Sequence, residues 1–275
     1  MSAAPLLIGR AAPHPALRPF VRALHAYAET VPGPELRREL PTAHAVLIVN
    51  LGAPLWICTR GRWERFPDGL LAGLDDASVL SSTRGALQEG VQVLLTPLGC
   101  RRLAGVAMHE LTARSVALED VLGPDARRLA DRLRELRSWR ARVDVVQAFL
   151  ARRLLDGPDA PPDVAWAWTR LERSGGLVRV GDLAAELGCS TRHLGARFRD
   201  HVGLAPKRAA RLLRFERAIG LLEAGEPAAR VAADTGFADQ AHLSREVRAM
   251  TGLPPRALLL ERRSGSYKSE PLDLA

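Results

Sequence analysis

The sequence predicts an α+β domain followed by an all-α domain that contains two helix-turn-helix units. Short β-branched and aromatic runs dominate the first part, a Pro- and Gly-rich segment follows, and one helical pattern then occurs twice. With 275 residues, of which 47 % are hydrophobic, the chain is long enough to form a core in each domain. The expected divisions are an α+β domain at 1–155, a linker at 156–163, a helical domain with the two helix-turn-helix units at 164–263 and a flexible tail at 264–275.

The first domain combines strands with two amphipathic helices. The runs VLIVNLGAPLWICTRGRWERF (46–66) and VQVLLTPLG (91–99) predict a small mixed or antiparallel β domain. Leu129, Leu133 and Leu136 form an apolar stripe along 125–136, and a second stripe contains Val145, Phe149, Leu150 and Leu154. Two alternatives stay open, since such stripes pack on their own domain or form a dimer interface.

The second domain contains an internal repeat. GCSTRHLGARFRDHVGLAP (188–206) aligns with GFADQAHLSREVRAMTGLPP (236–255) at an offset of 49 residues, and LAAELG (183–188) aligns with VAADTG (231–236) at an offset of 48. One helical unit is therefore used twice.

Each copy predicts a helix, a tight turn and a second helix. In the first copy a helix at 180–187 ends at Gly188, and Ser190 caps the next helix. A long helix from Pro206 to about Glu223 then leads to the second copy, where a turn at Gly236 precedes a helix near Asp239. At about 1.5 Å per residue, the connecting helix separates the two units by roughly one turn of DNA.

The helical period determines which side chains of the two repeated helices point outward. If Leu194 and Phe198 face the core, Arg192, Ala196 and Arg199 face away from it. In the second copy Leu243 and Val247 face the core, which leaves Ala241, Arg245 and Arg248 outside, with Gln240 and Ser244 on the flank. Arginine bonds guanine and glutamine bonds adenine in the major groove, and small residues permit close approach. The residues expected to contact bases are Arg192, Ala196, Gln240, Ala241 and Arg245.

The remaining polar residues of this surface are expected to contact phosphates rather than bases. They are Ser190, Thr191, Arg199, Lys207, Arg208, Arg211, His242, Ser244 and Arg248. The alternative for any single arginine is a solvated basic helix. Matched positions in two copies favour the DNA-binding interpretation.

The repeat resembles a known family. Residues 164–262 resemble the DNA-binding domain of AraC/XylS-type transcriptional regulators, in which two helix-turn-helix units are joined by a long helix. The match is carried by the second copy, at Ala232, Gly236, Phe237, Asp239, Gln240, His242, Leu243, Ser244, Arg245, Gly252, Pro254 and Pro255. Within this aligned segment the chain carries Ala241 where the family usually has Ser, Leu243 and Val247 where it has Phe, and Pro254 where it has Ser.

The first domain is similar, more diffusely, to the sensor domain of some of these regulators. The similar segments are LRPFVRALHAY (17–27), LPTAHAVLIVNLG (40–52) and LEDVLGPDARRLADRLREL (118–136). The resemblance implies a small cupin-like β barrel with helices, able to bind a small effector or to mediate dimerisation. A pocket of this kind is expected to use Tyr27, Trp56, Trp63 and Phe66.

Charge and composition limit the partners. The formal net charge is +8, and residues 164–263 hold 17 Arg and Lys against 11 Asp and Glu, which favours double-stranded DNA. RNA polymerase would be a further partner if the regulator is an activator, and activation and repression stay open. No apolar run is long enough to cross a bilayer, so a cytoplasmic protein without membrane contact is expected.

Catalysis is not expected. His14, His25, His44 and His109 lack the spacing of a metal site, and the three cysteines form no Cys-x-x-Cys motif. We therefore predict no catalytic residue, metal or cofactor. The expected function is a sequence-specific DNA-binding regulator controlled by a small effector. One alternative is an effector-independent regulator whose first domain is only a dimerisation scaffold, and a cupin-type enzyme is the weaker one.

Overall fold

The computed structural model describes residues 6–30, 35–82, 87–157, 159–264 and 269–271. Its strands are β1 (Leu6–Ala11), β2 (Val21–Thr30), β3 (Leu36–Glu39), β4 (Ala45–Asn50), β5 (Leu55–Thr59), β6 (Arg62–Phe66), β7 (Gly69–Ala72), β8 (Val79–Ser82), β9 (Leu87–Leu95), β10 (Ser115–Ala117) and β11 (Ser269–Pro271). A short 3-10 helix, Pro15–Leu17, lies between β1 and β2.

The α-helices occupy most of the chain after β9. They are α1 (Pro97–Ala104), α2 (Met108–Leu111), α3 (Leu118–Leu122), α4 (Pro124–Glu135), α5 (Trp139–Leu154), α6 (Pro162–Arg173), α7 (Val180–Glu186), α8 (Thr191–Val202), α9 (Pro206–Glu223), α10 (Ala228–Asp234), α11 (Gln240–Thr251) and α12 (Pro255–Ser264).

The strands form two sheets. One has the order β10-β7-β4-β9-β2-β1-β11, and the other has the order β3-β8-β5-β6. Every pair is antiparallel except β1 with β11. Among the described strands both sheets are open, so the β-rich domain is confirmed, whereas its expected closure into a barrel is corrected to two facing sheets.

The larger sheet has a different environment on each face. Successive side chains of a strand point to opposite faces. On β2, Leu24 and Ala26 are fully buried in the main core together with the apolar faces of the helices. Tyr27 and Glu29 lie on the opposite face, where the Glu29 carboxylate accepts a bond from Arg37 of the smaller sheet. The larger sheet is therefore the middle layer, between helices and the smaller sheet.

The two amphipathic stripes of the first domain pack inside this chain. Leu129 and Leu133 of α4 and Leu150 and Leu154 of α5 are buried in the main core, next to the β2 and β9 side of the sheet. This is the first of the two alternatives that the sequence left open. An interface between two copies of the chain would have to use other residues.

The helical domain has the predicted double arrangement. The α7–α8 pair and the α10–α11 pair are the two helix-turn-helix units, and the predicted connecting helix corresponds to α9 from Pro206 to Glu223. Helix α12 follows Pro254 and was not predicted. The expected tail at 264–275 lies largely outside the described residues.

Packing between the two parts of the chain is extensive. Buried apolar residues of the sheet, of α4 and α5 and of α6 to α12 belong to one continuous cluster. The proposed linker is itself bound, since Arg102 of α1 donates hydrogen bonds to Leu155 O at 2.9 Å and to the Asp159 carboxylate at 2.8 Å. The relative position of the two parts is thus set by side-chain contacts and not only by the chain connection.

Candidate nucleic-acid interface

The second helix of each unit begins at an equivalent N-cap. The Ser190 hydroxyl accepts a bond from the His193 amide at 3.1 Å, and the Asp239 carboxylate accepts one from the His242 amide at 2.6 Å. These positions are related by the 49-residue offset of the repeat. Both caps satisfy amide groups that have no partner within the helix.

The turns before these helices use glycine in the left-handed region. Gly188 has a φ of 62° and Gly236 has a φ of 73°, values that residues with a Cβ rarely adopt. Each turn leads directly into the capped helix. The repeat in sequence is therefore a repeat in backbone geometry.

Core packing orients both recognition helices, α8 and α11, as the helical period predicts. Leu194 and Phe198 of α8 are fully buried, as are Leu243 and Val247 of α11. Trp168 of α6 packs against Phe198 with ring centroids 6.3 Å apart. Because these positions are fixed inside, the opposite faces of α8 and α11 lie on the surface.

Every residue expected to contact bases is exposed. On α8 these are Arg192 and Ala196, and on α11 they are Gln240, Ala241 and Arg245. Within the described part of the chain, no ion pair involves Arg192 or Arg245. Both guanidinium groups are available to an external hydrogen-bond acceptor.

One flank of α11 borders a groove. Gln240 and Ser244 line it together with Leu222, Pro255, Leu259 and Arg263, and the groove has a volume of about 540 Å³. Gln240 thus lies at the boundary between the outward face of α11 and this groove, and Ser244 is half-buried beside α12.

Apart from Ser244, the expected phosphate-contact residues fall into three groups. The exposed side chains of Thr191, Arg199, Lys207 and Arg248 form no ion pair with another described residue. Ser190 acts as the N-cap of α8. His242 contacts the Phe237 ring edge-on with centroids 5.4 Å apart, and its Nδ1 accepts a bond from the Ala238 amide at 3.3 Å.

The third group, Arg208 and Arg211, already binds carboxylates. Arg208 forms a two-point ion pair with Asp76, and Arg211 pairs with Asp76 at 3.3 Å and with Glu246 of α11. The hydrogen bond from Arg208 is the main cause that lowers the pKa of Asp76, which is therefore ionised at neutral pH. Asp76 belongs to the first domain. It lies in the segment between β7 and β8, residues 73–78, and we call this segment the acidic turn.

The first domain also contacts α8 at its C-terminal end. Arg101 of α1 pairs with Asp200 at 3.2 Å, and the Thr112 hydroxyl donates a bond to Gly203 O at 2.8 Å. His109 of α2 lies 4.0 Å from the same Asp200 carboxylate. These contacts leave the outward face of α8, with Arg192 and Ala196, exposed.

Equivalent contacts hold the C-terminal end of α11. The Ser78 amide donates to Met250 O at 2.7 Å, and Arg38 of β3 donates to Thr251 O at 2.8 Å. The carboxyl end of a helix bears partial negative charge, which favours a cation such as Arg38 at this place.

A third contact joins the first domain to the middle of α9. Thr42 donates to Glu216 at 3.0 Å, and His44 Nδ1 lies 3.6 Å from the same carboxylate. Burial alone would raise the pKa of Glu216, but its bonds to His44 and Thr42 lower it below the usual value. The roles of Arg38, Asp76 and Thr112 are not evident from the sequence, because isolated polar residues in turns and short strands have no periodic pattern.

The residues expected to bind an effector do not line one pocket. Tyr27 and Phe66 lie between the two sheets, whereas Trp56 and Trp63 lie on the outer face of the smaller sheet, opposite to the buried Leu55 and Ile57. Tyr27 is half-buried with its Oη enclosed, and burial raises the pKa of this hydroxyl. Tyr27 and Phe66 therefore lie in the same layer between the sheets, and the two tryptophans are separated from that layer.

The space around Tyr27 contains polar atoms without hydrogen-bond partners. They are Tyr27 Oη, Arg37 Nε, Gln88 Oε1 and Asn50 Oδ1, which have no partner among the described residues. Gln88 and Glu29 are paired across β9 and β2, in the row next to Tyr27 and Gly90. A buried polar atom without a partner costs about 1 to 3 kcal/mol.

Two further observations concern metals and membranes. The described ranges contain no group of three or more His, Cys, Asp or Glu side chains arranged to hold a metal ion. Among the helices that the structure describes, none combines the length and apolar character needed to cross a bilayer.

Comparisons with known proteins agree with this geometry. Residues 183–261 match a protein-family model described as a helix-turn-helix domain. A structure of ToxT from Vibrio cholerae is similar in fold, with a TM-score of 0.50 and 13 % identity over 86 % of this chain and 97 % of that chain. A comparison with curated protein sequences gave no match.

A second similar structure is that of a transcriptional regulator from Chromobacterium violaceum, one of the AraC-type DNA-binding domain-containing proteins. The match covers 38 % of this chain and 94 % of that chain, with 25 % identity and a TM-score of 0.34. The expected double helix-turn-helix architecture is confirmed by the α7–α8 and α10–α11 pairs, which lie almost entirely within the matched range. The similarity of fold to ToxT agrees with the architecture that the sequence resemblance predicts.

The cap of α11 can be tested by substitution. Asp239→Ala should lower the free energy of unfolding by about 1 kcal/mol, because the His242 amide loses its acceptor. Asp239→Asn should lose much less, since asparagine also caps helices. Urea denaturation followed by circular dichroism measures both, and equal losses for the two variants would contradict the cap.

Proposed function

We propose that the chain binds duplex DNA in a sequence-dependent manner by placing α8 and α11 in successive major grooves. The observation that supports this most is that an exposed face recurs at the 49-residue offset of the caps, with Arg199 of α8 and Arg248 of α11 at equivalent positions. Helix α9, with 18 residues, is about 27 Å long, close to the roughly 34 Å between equivalent groove positions one turn apart.

In this proposal the exposed residues have two roles. Arg192, Ala196, Gln240, Ala241 and Arg245 contact base edges. Thr191, Arg199, Lys207 and Arg248 contact phosphates, together with Arg208 and Arg211 once these are released from Asp76. Phosphate contacts give salt-dependent affinity for any duplex, and base contacts give selection among sequences.

The role of Arg245 is tested by its effect on discrimination. Arg245→Ala should lower the preference for a target duplex over scrambled DNA by about 1 to 3 kcal/mol, because a bidentate base contact is lost. A mobility-shift titration with DNA from upstream of the protein's own gene supplies the target. Arg173→Ala, which changes an exposed arginine of α6 outside both recognition helices, is the matched control. Equal weakening on target and scrambled DNA would assign Arg245 to phosphate.

The role of Arg199 is tested by salt dependence. Arg199→Ala should weaken binding to every duplex alike and lower the slope of log affinity against log salt by about 0.9, the contribution of one phosphate contact. Fluorescence anisotropy over a salt series gives both quantities. An unchanged slope would place Arg199 outside the DNA contact.

We further propose that a small molecule bound between the two sheets controls this activity. Support comes from the polar atoms that lack partners around Tyr27, since a ligand with hydrogen-bonding groups would satisfy them. Tyr27 and Phe66 would contact it, whereas the outer positions of Trp56 and Trp63 do not favour a role. An effector acts on DNA binding only if it favours one arrangement of the domains over another.

Thermal-shift screening of the full chain against metabolites tests this proposal. A specific effector at 100 times its Kd should stabilise the protein by about 2.7 kcal/mol. Tyr27→Phe should fold as well as the wild type, because the hydroxyl has no described protein partner, but should respond less to the effector. If no metabolite stabilises the protein, the alternative of an effector-independent scaffold is favoured.

A further inference from the structure

The acidic turn binds the first turns of α9 through a carboxylate. Arg208 Nε lies 3.0 Å from Asp76 Oδ2, and Arg208 Nη2 bonds Oδ1. Arg211 Nη1 lies 3.3 Å from Oδ2. Both oxygens of Asp76 are therefore bonded to guanidinium groups of the DNA-binding domain, and the carboxylate side chain is only 17 % exposed.

The same turn is attached to the second recognition helix. Two residues after Asp76, the Ser78 amide donates to Met250 O across the interface. Arg38 and the Ser78 hydroxyl both reach Thr251 O, at 2.8 Å and 3.4 Å. The ion pair on α9 and these bonds to α11 thus belong to one contact surface, to which Arg38, Asp76 and Ser78 of the first domain contribute hydrogen bonds and ion pairs.

A carboxylate and a phosphate bond an arginine in the same way. Each offers two oxygens to the planar fork of the guanidinium group, so one fork holds one of them at a time. A DNA phosphate that reached Arg208 with Asp76 in place would also lie against a second anion, which is electrostatically unfavourable. Asp75 adds another carboxylate next to Asp76.

We propose that Asp76 takes the place of a DNA phosphate on Arg208 and Arg211, so that docking of the acidic turn and binding of duplex DNA by these arginines exclude each other. The contact is autoinhibitory: the first domain lowers the affinity of the second for DNA until the turn leaves α9. The inference rests on the proposed phosphate contacts of Arg208 and Arg211. Any ligand that binds better when the acidic turn is released therefore raises the affinity for DNA. DNA raises the affinity for that ligand by the same factor, because coupling between two binding sites is reciprocal.

Removal of the charge at Asp76 tests the exclusion. In the full-length protein, Asp76→Asn keeps the shape of the side chain but weakens its hold on both arginines. It should raise affinity for duplex DNA by about 5- to 20-fold, on target and scrambled sequences alike, within the range usual for coupling between sites. Asp75→Asn is the matched control, since it removes the same charge one residue away without breaking an ion pair to α9. Its affinity should stay close to that of the wild type.

A double-substitution cycle separates the contact from a general charge effect. In the wild type Arg208 must give up its ion pair with Asp76 before it binds a phosphate, so its net contribution to DNA affinity is small. Arg208→Ala should therefore weaken DNA binding only slightly. In the Asp76→Asn background Arg208 is free beforehand, and Arg208→Ala should remove most of the gained affinity. Equal losses in the two backgrounds would overturn the exclusion.

Hydrogen exchange of the Ser78 amide reports on the turn directly, because its acceptor, Met250 O, lies across the interface. Saturating duplex DNA should accelerate its exchange in the wild type. Unchanged or slower exchange, together with equal DNA affinity of the wild type and Asp76→Asn, would overturn autoinhibition while leaving DNA binding intact. Failure of both proteins to bind any duplex at low salt would instead refute the proposed DNA binding, and the exclusion with it.

Discussion

The surface of this protein depends on one constraint, which is that each recognition helix has a single buried face. Leu194 and Phe198 in α8, and Leu243 and Val247 in α11, are fixed in the core, so the arginines half a turn away must lie outside. Because the caps and turns repeat as well, α8 and α11 have similar orientations within their helix-turn-helix units. Duplication of a small packing motif thus produces two similar cationic faces.

Part of the uncompensated charge of the helical domain lies on those faces. Some of its arginines are paired, as Arg197 is with Asp163 and Arg170 is with Glu186. Arg192, Arg245 and Arg248 have no such partner among the described residues. Exposed ion pairs of this kind add little to stability, so the unpaired arginines are the ones whose charge is available to an external anion.

The helical domain was predictable because local signals determine it. Glycines, caps and the apolar period placed the connecting helix correctly and oriented both recognition helices. Helix α12 was missed because two consecutive prolines suggest an interruption, although Pro255 is compatible with the first turn of a helix. The position of Trp63 was predictable in part, since it lies three residues from Phe66 and an odd spacing on one strand gives opposite faces.

The contacts between domains were not predictable from the sequence. Asp76 and Arg208 are 132 residues apart, and nothing in the residues around Asp76 indicates a partner. Such pairs depend on how complete domains pack, which neither propensity nor period encodes. The same limitation applies to the sheets, where the run of strands was evident but open sheets and a closed barrel have similar patterns of alternation.

The first domain holds α8 at Gly203 and α11 at Thr251, near corresponding ends of the two helices. Because α8 and α11 are both attached to the first domain, they have little freedom to rotate relative to each other. One base pair inserted between two half-sites turns one of them about the duplex axis by about a tenth of a revolution. In the proposed complex with DNA, these two attachments would restrict the half-site spacings that the protein accepts, and loss of either attachment would widen that range.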